Sequence, residues 1–237
     1  MIIWALFDSE THCVSKALPE HEVYSFGIGT GTEHIPLDLS DFETARKELD
    51  KYPRPDVIFA SPPCETWVPL NVGTKRFYTR EHGLNFYWKK RWEPFDFTEK
   101  AKARRINGMK TAQCTTEIIK HYKPDFFAIE NGSLSLIFDY MATLGFIGNR
   151  NRCNYYSYGL DVLKPTIMLS NKILNLKQDK PNRKLLTINN LSYKSKREMR
   201  AKYGNISQVP PALYQDIMRQ FLERQRDLFT LTQKEAV

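Results

Sequence analysis

No Cys-x-x-Cys pair occurs in this chain. Its four cysteines, Cys13, Cys64, Cys114 and Cys153, are widely scattered. That spacing argues against a structural zinc site or a disulfide framework and for a reduced protein. No apolar run approaches the roughly 20 residues that a membrane helix needs. The opening stretch, MIIWALFDSE, has no basic n-region and no small-residue cleavage site. It reads as a first core strand and not as a signal peptide, which makes the cytoplasm the expected location. Internal repeats and low-complexity tracts are absent as well.

What is present is ordinary for a globular protein in bulk and unusual in detail. The 237 residues are 41% hydrophobic and 26% charged, enough for one large domain with a buried core. The formal net charge is +8 and the pI about 9.2, a balance that suits a polyanionic partner. Aromatics reach 13%. Several stand among basic residues, a mixture fit for base stacking and phosphate contact.

Strands and helices alternate along the chain. Residues 1–7, Glu22–Ile28, HIPLDL, DVIFA and Asp125–Asn131 read as strands. Thr11–Leu18, SDFETARKEL (Ser40 or Asp41 as N-cap) and EKAKARRINGMKTAQCTTEIIKHY read as helices, the last with a face through Ala103, Ile106, Met109 or Lys110, Gln113, Glu117 and the aliphatic Ile118-Ile119. SLSLIFDYMATLGF is a further helix closing on Gly145, RCNYYSYG and PTIMLSN a late hairpin, and Pro210-Pro211 opens a C-terminal amphipathic helix. This rhythm predicts an α/β fold, an open and mostly parallel sheet with helices on both faces. Two segments break it. Val68–Phe97 is basic, aromatic and without clear period, and Lys172–Gly204 carries ten Lys or Arg against Asp179 and Glu198.

In open parallel sheets ligands bind at the carboxyl ends of the strands. DVIFASPPCETW puts a cysteine just beyond a strand that two prolines terminate. DFFAIENG puts Glu130 and Asn131 at the end of the next one. A thiolate beside a carboxyl able to carry a proton suits covalent attack on an unsaturated ring. From spacing alone, Cys64 stands equally as a small buried hydrophobe and Glu130 as a solvated or capping residue.

Four motifs in order resemble those of the DNA cytosine-5 methyltransferases, and more closely their compact phage- and mobile-element-encoded relatives: ASPPCETW, FAIENG, RNRCNYYSYGLDVLKPTIMLSN and NISQVPPALYQDI. The resemblance implies a Rossmann-like class I methyltransferase fold in a bacterial host cell, acting on C5 of cytosine in DNA. Its parts would be a catalytic core over 1–171, a reduced target-recognition-like segment over 172–204, and a closing motif and helix over 205–237. It makes Cys64 the nucleophile and Glu130 the partner of the cytosine ring, and gives Arg150 or Arg152 the base carbonyl or the cysteine. The target base would be flipped out of the duplex. Arg76, Lys89, Lys90, Arg91, Lys194, Lys196 and Arg197 are the expected phosphate contacts.

S-adenosylmethionine is the cofactor so implied, with Phe7, Ser9, Asp38, Pro62 and Asn205 as candidate contacts. Here the sequence departs from the family. No glycine follows Phe7, where one would let the backbone approach a ligand; FDSETH stands there instead. GIGTG follows the wrong strand to replace it. A non-catalytic DNA-binding or anti-defence protein on the same fold, and an enzyme using another donor, are the rival expectations.

Overall fold

The computed structural model describes residues 1–8, 12–29, 34–67, 99–182 and 208–235; for 99–102 and 226–235 it describes the backbone alone. In chain order the elements are β1 (Ile2–Leu6), α1 (Cys13–Ala17), β2 (Glu22–Gly27), β3 (Ile35–Pro36), α2 (Phe42–Leu49), β4 (Val57–Ala60), α3 (Glu99–Tyr122), β5 (Phe126–Gly132), α4 (Ile137–Thr143), β6 (Asn149–Asn154), a 3-10 turn (Tyr155–Tyr158), β7 (Pro165–Ser170) and α5 (Pro211–Glu235). The described strands form one seven-stranded sheet in the order β3-β2-β1-β4-β5-β7-β6. All pairs from β3 to β5 are parallel, and β7 runs antiparallel to both β5 and β6. This is the open, mostly parallel Rossmann-like α/β sheet expected from the sequence.

Both faces of the sheet are covered, so its central strands read as continuous apolar runs; all four residues of β4 are buried. Alternation sorts their side chains. Ile3, Ala5, Val57, Phe59, Phe126, Ala128 and Met168 meet α1 and α5 on one face. Trp4, Leu6, Ile58, Ala60, Phe127, Ile129, Ile167 and Leu169 meet α2, α3 and α4 on the other. Asp41 caps α2, its carboxylate accepting from Thr44 N at 2.9 Å. Gly145, at φ +68, supplies the left-handed residue that ends α4.

One expectation needs correction. The buried stripe of α3 runs through Arg105, Gly108, Ala112, Thr115 and Ile119, whereas Ile106 is 45% exposed and Ala103 and Gln113 also face solvent. Contact with the loop after β4 turns the helix this way. In the basic segment, Leu174 and Leu176 are buried in the core beside α5; residues 183–207 lie outside the described part. Among the described residues no helix is long and apolar enough to cross a membrane, and no group of three or more metal-ligating side chains occurs.

Candidate active site

The chain leaves β4 at Ala60 and turns at once, because neither Pro62 nor Pro63 has an N–H to continue the ladder. Register places Ala60 beside Ile129, so Glu130, the next residue of β5 and still paired with Met168 of β7, stands beside the point where the chain leaves β4. Asn131, fully buried, donates from Nδ2 to the carbonyl of Pro62 at 3.0 Å. Trp67 N donates to the Cys64 carbonyl at 3.0 Å, closing a tight turn, and Leu136 N then donates to the Trp67 carbonyl at 3.0 Å. On the far side Arg105 donates from Nη1 to the Thr66 carbonyl at 3.0 Å and lies 4.3 Å over the Trp67 ring. Burial lowers the Arg105 pKa to about 10. From below, Tyr214 of α5 packs on Phe59 and is hydrogen-bonded by Ser61.

This frame presents one thiol. Cys13, Cys114 and Cys153 are buried; Cys64 is exposed. Burial pushes the Cys114 and Cys153 thiols up to about 12. The Cys64 thiol is also raised above its ordinary 9.0, by the protein packed around it first and by the Glu130 carboxylate second, while Lys164 pulls it down.

Glu130 is 7% exposed and shares the α1–α5 face of the sheet with its register partner Met168. Its Oε1 accepts from the Tyr155 hydroxyl at 2.8 Å and from Lys164 Nζ at 3.5 Å. Both donors sit on the same oxygen, which leaves Oε2 without a donor among the described residues. Burial, then the neighbouring carboxylate, holds the Tyr155 phenol far above its ordinary pKa, so it donates as a neutral hydroxyl. Lys164 Nζ also lies 4.4 Å from the Tyr155 ring.

Of the residues singled out from sequence, the fold brings Cys64, Glu130, Asn131 and Pro62 to one rim. Arg150 and Arg152 lie two strands from β5, on β6. These pair with Leu169 and Ile167 and share their face, the one covered by α4 and opposite to Glu130. Arg150 is engaged there, 2.7 Å from Asp139 Oδ1 and 5.9 Å from the Phe138 ring. The cation next to Glu130 is Lys164. Sequence reasoning quoted it within the Lys-Pro-Thr motif without assigning it a role, and it passed over Tyr155, Arg105 and Tyr214 likewise. Arg76, Lys89, Lys90, Arg91, Lys194, Lys196, Arg197, Ser9 and Asn205 lie outside the described residues.

The cofactor side is built differently. Phe7 and Asp38 sit just past the ends of β1 and β3, Asp38 exposed and accepting from Ser40 N at 2.9 Å. Phe7 adopts φ 66, a left-handed conformation that glycine would take without strain. Asp8, 7% exposed, turns its carboxylate onto the start of α1. Oδ1 accepts from Cys13 N at 2.9 Å, and Oδ2 from Val14 N at 3.3 Å and from Ser25 Oγ at 3.2 Å. Amides that would remain open at a helix start are thus taken by the chain's own anion. These residues do not fit a glycine-lined cradle for S-adenosylmethionine.

No protein-family profile and no curated protein sequence matches the chain. Solved structures do. The methyltransferase EhMeth of Entamoeba histolytica is 15% identical over 77% of this chain, with TM-score 0.46. The Dnmt2 methyltransferase of S. pombe is 11% identical over 88%, with TM-score 0.44, and a mutant DNMT2 of Spodoptera frugiperda is 14% identical over 78%, with TM-score 0.39. The matches cover 57% of each of those chains. What the chain is similar to in these comparisons is thus a set of methyltransferase structures, at low identity.

Proposed function

We propose that this chain is a methyltransferase-like protein acting on C5 of cytosine in DNA, with Cys64 as nucleophile, Glu130 as proton donor and S-adenosylmethionine as the methyl source. One observation carries the reading: the one exposed cysteine of four stands on the strand rim beside a buried carboxyl whose second oxygen has no donor among the described residues.

The chemistry follows from those groups. The Cys64 thiolate forms a bond to C6 of the ring, and the C5–C6 π pair moves away from the sulfur. A proton carried on Glu130 Oε2 passes to N3, so that the ring stays neutral and C5 becomes enamine-like and nucleophilic. Asn131 and Arg105 hold the cysteine turn in place while the bond forms. S-adenosylmethionine is the donor the resemblance implies, although the first turn offers it no glycine cradle. DNA as partner is supported by the net charge of +8, and the bound cytosine would be flipped from the helix.

The test is incubation with labelled S-adenosylmethionine and mixed-sequence DNA, comparing the unaltered chain with Cys64→Ala. Label in 5-methylcytosine that depends on Cys64 supports the reading. Absence of such label, under conditions where the chain binds DNA, sinks it. The Asp8 carboxylate at the first turn favours a second reading, a protein on this fold that binds DNA without transferring methyl groups or uses a different donor. Stoichiometric binding of S-adenosylmethionine by calorimetry would count against its non-catalytic form.

A further inference from the structure

Glu130 has two carboxyl oxygens, and the fold engages one of them. Oε1 accepts from the Tyr155 hydroxyl at 2.8 Å and from Lys164 Nζ at 3.5 Å. The two donors differ in how firmly they are held. The lysine ends a flexible stem and its side chain is 20% exposed. Tyr155 is fully buried and turns on only two χ angles. Its position is set by a short 3-10 turn, Tyr155–Tyr158, which Asn154 caps by accepting from Tyr156 N at 3.3 Å. Tyr155 N donates to the Lys164 carbonyl at 3.3 Å, and the Tyr155 carbonyl accepts from Leu160 N at 3.2 Å. On the same turn, Tyr158 donates to Asp216 Oδ2 at 2.8 Å while its oxygen accepts from Lys177 N at 2.9 Å. Ser157 Oγ accepts from Asp179 N at 2.8 Å. The turn is thus fastened to α5 and to the chain after β7, and it carries one buried phenol to the acid.

We infer that Tyr155 is a positioning residue for Glu130: it dedicates Oε1 to the protein, so that Oε2, which has no donor among the described residues, is the oxygen offered to the substrate ring. The inference rests on the reading of Glu130 as the group that meets cytosine. The last torsion of a glutamate is broad, so an unanchored carboxyl presents either oxygen at many angles. One strong bond to a buried donor removes that freedom before the substrate arrives, which is where positioning lowers a barrier. The charge on Glu130 does not alter the geometry, because a phenol O–H donates to the carbonyl oxygen of an acid as well as to a carboxylate. Tyr155 acts through Glu130 and needs no contact of its own with the ring.

The test follows the rate at which Cys64 forms an adduct with duplex DNA carrying 5-azacytosine, over a range of DNA concentrations. Four chains are compared: unaltered, Tyr155→Phe, Glu130→Gln and the double variant. Phenylalanine keeps the buried ring and removes only the hydroxyl; if that variant fails to fold by circular dichroism, Tyr155→Met replaces it. Tyr155→Phe is expected to lower the maximal rate about tenfold, the order set by one hydrogen bond lost from the reacting group. The half-saturating DNA concentration should stay where it was. In the Glu130→Gln background the same substitution should have no further effect, since the two residues act as a unit. An unaltered maximal rate overturns the proposal, and so does equal slowing in both backgrounds, the mark of a merely structural ring. No adduct from the unaltered chain removes the cytosine reading instead. The tie is then read from tyrosine labelled at Cζ. The carbon resonance that the Tyr155 variant lacks is expected to move in Glu130→Gln, and a resonance that stays in place overturns the positioning role.

Discussion

Asn131 and Pro62 are 69 residues apart in the chain and 3.0 Å apart in the fold, joined from the side-chain amide of one to the main-chain carbonyl of the other. The bond ties the end of β5 to the turn that carries Cys64. It explains why an asparagine should follow the candidate acid directly. Glu130 faces one side of the sheet, and Asn131, one residue on, faces the other and reaches the neighbouring strand's exit.

Asn131→Ala is therefore expected to destabilise the fold by about 2 kcal/mol, since it leaves a buried carbonyl without its donor and removes packed atoms. Urea denaturation reads the loss. Unchanged stability would show that water replaces the amide without cost.

Gly108 is expected to be as sensitive as a catalytic residue. A Cβ there would overlap the Thr66 hydroxyl and come within 3.3 Å of Trp67 Nε1. Gly108→Ala gains helix propensity of about 1 kcal/mol yet forces the Cys64 turn away from α3. A net destabilisation of 1–3 kcal/mol is the order expected for such overpacking. A gain in melting temperature would mean that the turn gives way freely.

Stability should fall at alkaline pH. The Tyr155 and Tyr214 phenols are held well above the ordinary value of 10.0, chiefly by burial. Folded, they keep their protons; unfolded, they lose them near pH 10. The unfolded chain then binds fewer protons, so stability present below pH 10 is lost as pH rises, by up to about 1.4 kcal/mol per pH unit for each phenol. Tyr155→Phe should flatten that slope between pH 10 and 11 while removing the donor to Glu130. An unchanged slope would place the alkaline sensitivity elsewhere.

Asp8→Asn separates shape from charge at the first turn. The amide keeps one acceptor for the α1 amides and removes the anion. Calorimetry is expected to show S-adenosylhomocysteine binding several-fold more tightly than to the unaltered chain, at a cost of about 1–2 kcal/mol in stability from the weakened charge-assisted bonds. Equal affinity in both would show that the missing glycine, and not the charge, limits the pocket.

Much of the fold was legible before any coordinates. Buried parallel strands need unbroken apolar runs, so VIFA and the Phe126–Ile129 run announced themselves. The Asp41 cap, the Pro-Pro stop after β4 and Pro211 at the start of α5 are local devices that act through a few neighbouring atoms, and each sits where its sequence places it. Cys64 and Glu130 followed from the same logic, because the ends of adjacent parallel strands meet on one rim.

Residue order alone did not decide orientation. Along β6 exposed and buried positions alternate, with polar side chains on both faces, so nothing local says which side Arg150 and Arg152 take. Pairing with β7 settles that: both take the face that α4 covers, where Arg150 meets Asp139. The same holds for α3, where Gly108 and Arg105 face the cysteine turn because that turn packs there, and the more hydrophobic Ile106 is left in water. Lys164 reaches Glu130 across 34 positions of sequence, a proximity produced by the antiparallel return of β7 beside β5. Sequence determines the elements and their chemistry through short-range physics. Which charges meet across a sheet is a long-range outcome, and the tertiary structure decided it.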